Sequence, residues 1–374
     1  MMLPSVPKSL GRLSDVFISA LGSITGNDNR LGLPRAKNAC VVLVDGLGSF
    51  NLEYRAGHAP TLSSALKKDG SITVGFPSTT VSSLASFATG ARPGSHGMVG
   101  YQVFDRKISQ AKNLLTGIVS MDEALDWQRS KPVASKAIED GVEAFFVGPA
   151  EYENSGFTMA TMRGAKYLPA KNISDRFTAA GEILSKGGPS LVYLYVPELD
   201  QNAHAHGFKS AQWVEKLEDL EAGLKGLISK LPKNSGVLLT ADHGIVDVNP
   251  SNHIYLDALP IKNLRSVGGD PRVLFLYFDS LPDNETISSI QEFVGKRAYV
   301  ATKTELIEAG WFGQVENYAS ERMPELFIIS ISECALYHRH FAKAKSLQMI
   351  GQHGSISTEE LKVPLLKFGA FANS

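Results

Sequence analysis

Five short runs of this 374-residue chain read as continuously apolar: CVVLV from Cys40, SITVGF from Ser71, AFFV from Ala144, LVYLYV from Leu191 and GVLLTA from Gly236. A strand with one face in water alternates apolar and polar residues, whereas a strand covered on both faces does not. The runs therefore predict strands of a mostly parallel sheet with helices packed on its faces, an α/β architecture. The clearest helix is expected from Ala211 to Leu231. There Trp213, Val214, Leu217, Leu220, Leu224, Leu227, Ile228 and Leu231 recur at three- and four-residue steps before Pro232 ends the pattern.

Two later runs, RVLFLYF from Arg272 and LFIISI from Leu326, continue the mixed pattern. Residues 253–350 separate two segments rich in potential ligands and contain the turn-rich stretches SVGGDP and SLPDNET. A smaller inserted, cap-like region is expected there. The core is expected over 36–252 and 351–374, with 1–35 as a lead-in packing on it.

With 37 basic and 38 acidic side chains the net charge is -1, which excludes a globally basic nucleic-acid binder and a polybasic membrane-surface protein. A content of 43% hydrophobic and 20% charged residues belongs to a folded chain, not a disordered one. Cys40 and Cys334 are too few for a disulfide framework or a cysteine zinc site. No apolar stretch approaches the roughly 20 residues that span a bilayer, and the first residues lack a long apolar signal core. The expected address is the cytoplasm, with no membrane and no nucleic-acid partner.

Open α/β sheets bind ligands beyond the carboxyl ends of their strands. Three of the runs end there in acids or acid–histidine pairs: CVVLV in Asp45, LVYLYVPEL in Asp200 with His204, and GVLLTA in Asp242-His243. His353-Gly354 adds a fourth segment. An aspartate after a strand is often only a helix cap, and a lone histidine is usually structural. Asp200 and His204, four apart, share one face of a helix. Together the set predicts two divalent ions, zinc by donor type, one held by Asp200, His204 and His353, the other by Asp45, Asp242 and His243.

The stretch Pro77-Ser78-Thr79-Thr80 precedes a helical pattern of Val81, Leu84, Phe87 and Ala88 closed by Gly90. A hydroxyl at a helix N-terminus beside metals is a candidate nucleophile. Taken alone, Ser78 or Thr79 there is more often a cap.

VDGLG, FPSTTVSSLASFATGARPGSHGMVGY, LDQNAHAHG, TADHGIVDV and GQHGS, in this order, resemble the alkaline phosphatase superfamily, and within it the type I phosphodiesterase/nucleotide pyrophosphatase family. The resemblance runs from about Cys40 to the end of the chain. It implies an alkaline phosphatase-like fold and a two-metal hydrolase of phosphate esters, acting on a small-molecule ester or nucleotide through a phospho-threonine intermediate. It places the nucleophile at Thr80, also touching the second ion, and implies the same six ligands. Tyr101 stands where the family commonly has an asparagine that contacts a phosphate oxygen. Ser82-Ser83-Leu84 replaces a Pro-Asn-His run, and Ala203 replaces a glycine.

Of the other histidines, His96 is expected to order a Pro-Gly turn, His206 to lie near His204 and orient it, His253 to sit in a loop, and His338 and His340 to occupy a solvated helix face. Arg92, the nearest cation to the Thr80 segment in sequence, reads as a turn residue. Three other readings are weighed against the diesterase: a phosphomonoesterase, which needs further cations on phosphate; a sulfatase, which lacks its nucleophile context here; and a metal-stabilised binding protein without turnover.

Overall fold

The computed structural model describes residues 3–7 and 11–372; residues 1–2, 8–10 and 373–374 of the expected lead-in and C-terminal segments lie outside them. Four of the five apolar runs form parallel strands of one sheet: β1 (Asn38–Val44), β2 (Glu143–Gly148), β4 (Ser190–Val196) and β5 (Ser235–Ala241), with β3 (Lys166–Pro169) beside β2. All seven residues of β1, of β4 and of β5 are buried, as continuous apolar runs require. β1 lies between β4 and β5, in register, so that Val44 pairs with both Val196 and Ala241. The chain therefore leaves three neighbouring strands at one edge.

The fifth run behaves differently. Only Ser71–Thr73 is strand, and it pairs antiparallel with residues 362–364 in a separate two-stranded sheet. Its half-buried ends and the Gly75-Phe76-Pro77 sequence that follows stop it from entering the parallel sheet.

Helices cover the sheet. α1 (Leu13–Thr25) and α2 (Thr80–Thr89) bring Phe17 and Phe87 together at 4.7 Å and against Tyr193 of β4. α3 (Ile173–Ser185), α4 (Glu198–His206) and α5 (Ala211–Ser229) follow. α5 starts where the Ser210 hydroxyl accepts from Trp213 N at 3.2 Å, and it buries Trp213, Leu217, Leu220, Leu224 and Leu227. It stops two residues short of the expected Leu231.

The later runs form a second, antiparallel sheet of four strands: β6 (Leu264–Asp270), β7 (Val273–Phe278), β8 (Ala298–Thr302) and β9 (Leu326–Ser330). Along β7, Val273, Phe275 and Tyr277 enter the main core, while Leu274, Leu276 and Phe278 enter a second core under α6 (Asn284–Val294). Alternation thus joins this region to the main body through one face of β7 while the other face builds its own core. A last strand, β10 (Leu366–Gly369), closes the first sheet antiparallel to β5. Among the described residues no helix is long and apolar enough to cross a membrane.

Candidate active site

Asp45 follows β1 directly, Asp242 follows β5 directly, and Asp200 stands in the first turn of α4, after β4. Strand register alone brings these three carboxylates to one edge. The turn after Asp45 needs glycine: Gly46 has φ +73°, and a Cβ there would lie 2.5 Å from Ile245 Cδ1 and 3.1 Å from Asp200 Cβ. The start of α4 is pinned by Arg176, fully buried, which donates to Tyr195 O at 2.8 Å and pairs with Glu198.

Three histidines meet the carboxylates. His204 Nε2 lies 3.2 Å from Asp200 Oδ2, and His353 Nε2 lies 3.7 Å from Asp200 Oδ1. His243 Nε2 lies 3.2 Å from Asp45 Oδ1 and 3.5 Å from Asp242 Oδ2. Each ring turns its other nitrogen to a backbone carbonyl: His204 Nδ1 to Gly351 O (2.7 Å), His353 Nδ1 to Ser78 O (3.1 Å) and His243 Nδ1 to Gly244 O (3.3 Å). A carbonyl only accepts, so Nδ1 is the donor and Nε2 faces the carboxylates, the arrangement that orients imidazoles as ligands.

Within the cluster, Asp45, Asp242 and His243 form one group whose donor atoms all lie within 4.8 Å, as expected from the sequence. Among the described residues the other such group is Asp200, His353 and His243. His204, expected as the third member, stays 3.2 Å from Asp200 outside that closest group, and the His243 ring stacks on His353 at 3.6 Å.

Each aspartate also keeps one buried oxygen without a hydrogen bond: Asp45 Oδ1, Asp200 Oδ1 and Asp242 Oδ2. The opposite oxygens of Asp45 and Asp242 are held by the Tyr195 hydroxyl and by Gly46 N at 3.1 Å. Buried, unpaired carboxylate oxygens cost about 1–3 kcal/mol or more each. Carboxylates with one oxygen fixed and one free, beside oriented imidazoles, fit a pair of divalent cations.

Without an ion, the buried carboxylates favour charge on the histidines beside them. Burial and the neighbouring Asp45 hold the Asp242 carboxyl well above its usual range. Burial opposes charge on His243, but the Asp242 and Asp45 carboxylates raise it to about 10. His204 is raised to about 9 by Asp200 and Gly351 against the same burial.

Thr80 opens α2, and its Oγ1 lies 3.2 Å from His243 Nε2. Thr79 is the residue preceding the helix, yet its side chain makes no capping hydrogen bond. Its hydroxyl is buried without a hydrogen-bond partner, on the wall of the same cavity as Asp270. Ser78 is spent on Ser355 O (2.6 Å), and Ser82 on Met98 O (2.8 Å).

A cavity of about 890 Å³ opens on the cluster, lined by Asp45, Thr80, Tyr101, Asp200, His204 and His353 among others. Tyr101 is half-buried, and burial raises its phenol. The remaining histidines divide. His96 is buried and fixes its turn, accepting from Met98 N at 3.1 Å and pairing with Ser86 Oγ at 3.0 Å, while burial lowers it to about 3. His206 is exposed, and the Gly351 carbonyl, not His206, orients His204. His253 belongs to the short strand His253–Tyr255 and packs 4.8 Å from Tyr337. His338 and His340 follow the short strand Ala335–Tyr337 in a turn, not a helix, and His338 lines the cavity. Arg92 turns away, donating to Gly310 O and Trp311 O at 2.9 Å.

Two residues of this site escaped the sequence. Tyr195 read as core because the run LVYLYV is buried throughout, although a tyrosine inside such a run needs a partner for its hydroxyl. Asp270 was hidden in a stretch that reads as a turn.

The sequence profile of the type I phosphodiesterase/nucleotide pyrophosphatase family matches residues 39–356. The chain belongs to this family. Curated relatives include an uncharacterised pyrophosphatase/phosphodiesterase of Schizosaccharomyces pombe, 26% identical over 235 residues. That match covers 58% of this chain and 47% of the yeast protein. Human ectonucleotide pyrophosphatase/phosphodiesterase family member 1 is 25% identical over 248 residues, 61% of this chain and 26% of the human protein. The matches thus span less than half the length of either relative.

Solved structures share the fold. Murine ectonucleotide pyrophosphatase/phosphodiesterase 5 superposes with a TM-score of 0.67 at 19% identity, covering 88% of each chain. Phosphonoacetate hydrolase of Sinorhizobium meliloti superposes at 0.70 with 16% identity, covering 90% of this chain and 91% of that one.

The Tyr195 contact gives a direct expectation. Tyr195→Phe frees Asp45 Oδ2, and loss of such an orienting partner weakens a metal site about 10–100-fold. Competition against a chromogenic chelator measures it; unchanged affinity would mean that Tyr195 serves only the core.

Proposed function

We propose that this chain hydrolyses phosphodiester or nucleotide pyrophosphate bonds at the Asp/His cluster, with Thr80 as nucleophile. The observation that carries the reading is the convergence of three half-free aspartates and three oriented histidines around the Thr80 hydroxyl. Asp45, Asp242, His243 and Thr80 would hold one divalent cation and Asp200, His204 and His353 the other, both zinc by donor type. When bound, such cations lower the pKa of a hydroxyl and neutralise charge on the leaving oxygen.

Thr80 Oγ1 attacks phosphorus in line, the bond to the leaving oxygen breaks, and water then cleaves the phospho-threonine. Tyr101, from the cavity wall, contacts a non-bridging oxygen. The cavity supports a diester because it leaves room for a second organic substituent. Leu84 stands one helical turn after Thr80, with Ile118, Phe157 and Met162 beyond it. The segment 253–350 acts as the cap over this cavity. Murine phosphodiesterase 5 has been solved with AMP and the S. meliloti hydrolase with phosphonoformate, small phosphorus-containing anions of the kind proposed here. A cytoplasmic address belongs to the same reading and rests on two cysteines that are buried and free.

The alternative of a phosphomonoesterase loses its nearest candidate cation with Arg92 turned away. Turnover of p-nitrophenyl diesters, monoesters and sulfates by the zinc-loaded protein tests the reading. The diester should lead the monoester by about tenfold or more, on the order of 1.4 kcal/mol in the transition state. A monoester lead of the same size would replace it with the phosphomonoesterase.

A further inference from the structure

Asp270 takes no part in the proposed reaction, yet its side chain lies on the wall of the cavity beside the residues that do. It ends β6, is 8% exposed, and keeps Oδ2 buried without a hydrogen bond. Gly269 before it has φ +79°, and a Cβ at Gly269 would meet Val273 O at 2.1 Å, so the tight turn into β7 admits only glycine. A Cβ at Gly354, the residue after His353, would lie 3.1 Å from Asp270 Cβ, and Thr79, one residue before Thr80, lines the same cavity. The carboxyl thus stands beside the neighbour of a proposed ligand, in the cavity that the residue before the proposed nucleophile also lines.

The arginines near it are committed elsewhere. Among the described residues no arginine lines the cavity. Arg272, two positions on, is buried in a pair with Glu360, and Arg92 holds backbone carbonyls. The cavity's two lysines, Lys343 and Lys345, are exposed.

From this placement we infer that Asp270 is a specificity-determining residue: its carboxylate selects phosphorus groups that carry one negative charge over those that carry two. A phosphodiester carries one at alkaline pH and a phosphomonoester two. The extra charge would face an anion with no guanidinium to offset it. A like-charge contact in a partly dry cleft changes a rate by roughly one to two orders of magnitude. This inference rests on the diesterase reading above and assigns its selectivity to one side chain.

The experiment compares p-nitrophenyl phosphate with methyl p-nitrophenyl phosphate, which share a leaving group, on wild type, Asp270→Asn and Asp270→Glu with cation content measured. The asparagine variant should raise the monoester-to-diester ratio of kcat/KM at least about tenfold, about 1.4 kcal/mol. It should also tighten inhibition by inorganic phosphate by a similar factor. The glutamate variant should hold the wild-type ratio. Asp270→Ser carries the same comparison if the asparagine variant loses its cations. A purely structural Asp270 would lower both esters together, and a ratio within twofold of wild type at equal cation content overturns the inference. Should wild type hydrolyse neither ester, the diesterase reading fails instead.

Discussion

Thr80→Ala is expected to abolish nearly all turnover, on the order of a thousandfold or more, because covalent catalysis loses its attacking oxygen. Cation binding should largely survive, since Asp45, Asp242 and His243 remain as a compact group. Thr79→Ala is the matched control. The Thr79 side chain makes no capping bond, so its loss should cost less than the roughly 1 kcal/mol of a helix cap. Most of the chemistry should remain. Both variants are assayed on an aryl phosphodiester with metal content measured alongside. An active Thr80→Ala beside a dead Thr79→Ala would shift the nucleophile by one residue. Full activity in both would require water to attack directly.

The second large effect concerns stability. Arg272 and Glu360 are 1% and 0% exposed and meet through two contacts, Nη2 to Oε2 at 2.7 Å and Nε to Oε1 at 3.2 Å. Arg272 Nη1 also donates to Cys334 O at 2.6 Å, and Glu360 Oε1 accepts from Ser355 N at 3.0 Å. The pair therefore ties the second sheet to the segment that carries His353. Glu360→Ala leaves a buried guanidinium without its counter-charge, which costs about 3–5 kcal/mol. Denaturant unfolding measures it. A loss below about 1 kcal/mol would mean that water or a rearranged carboxylate reaches Arg272.

The parallel sheet was legible because burial on both faces leaves its mark as unbroken apolar runs, and β1, β4 and β5 all follow it. Ser71–Thr73 misled because a run of similar composition can lie at a margin, where only its short length and the proline after it tell. The three aspartates were legible because strand ends converge in this architecture. The partners of those groups were not. Tyr195, the Gly351 and Ser78 carbonyls and Asp270 come from parts of the chain that only the folded register brings together. His204 shows a finer limit: spacing of four put it on Asp200, but the stacking of His243 on His353 follows from packing alone.

Elemental analysis of the purified protein, paired with diester turnover before and after chelation, tests the central claim most directly. The account predicts two divalent cations per chain, lost together with diester hydrolysis on chelation and restored together by added zinc. Hydrolysis that persists undiminished in a chain stripped of cations would contradict it.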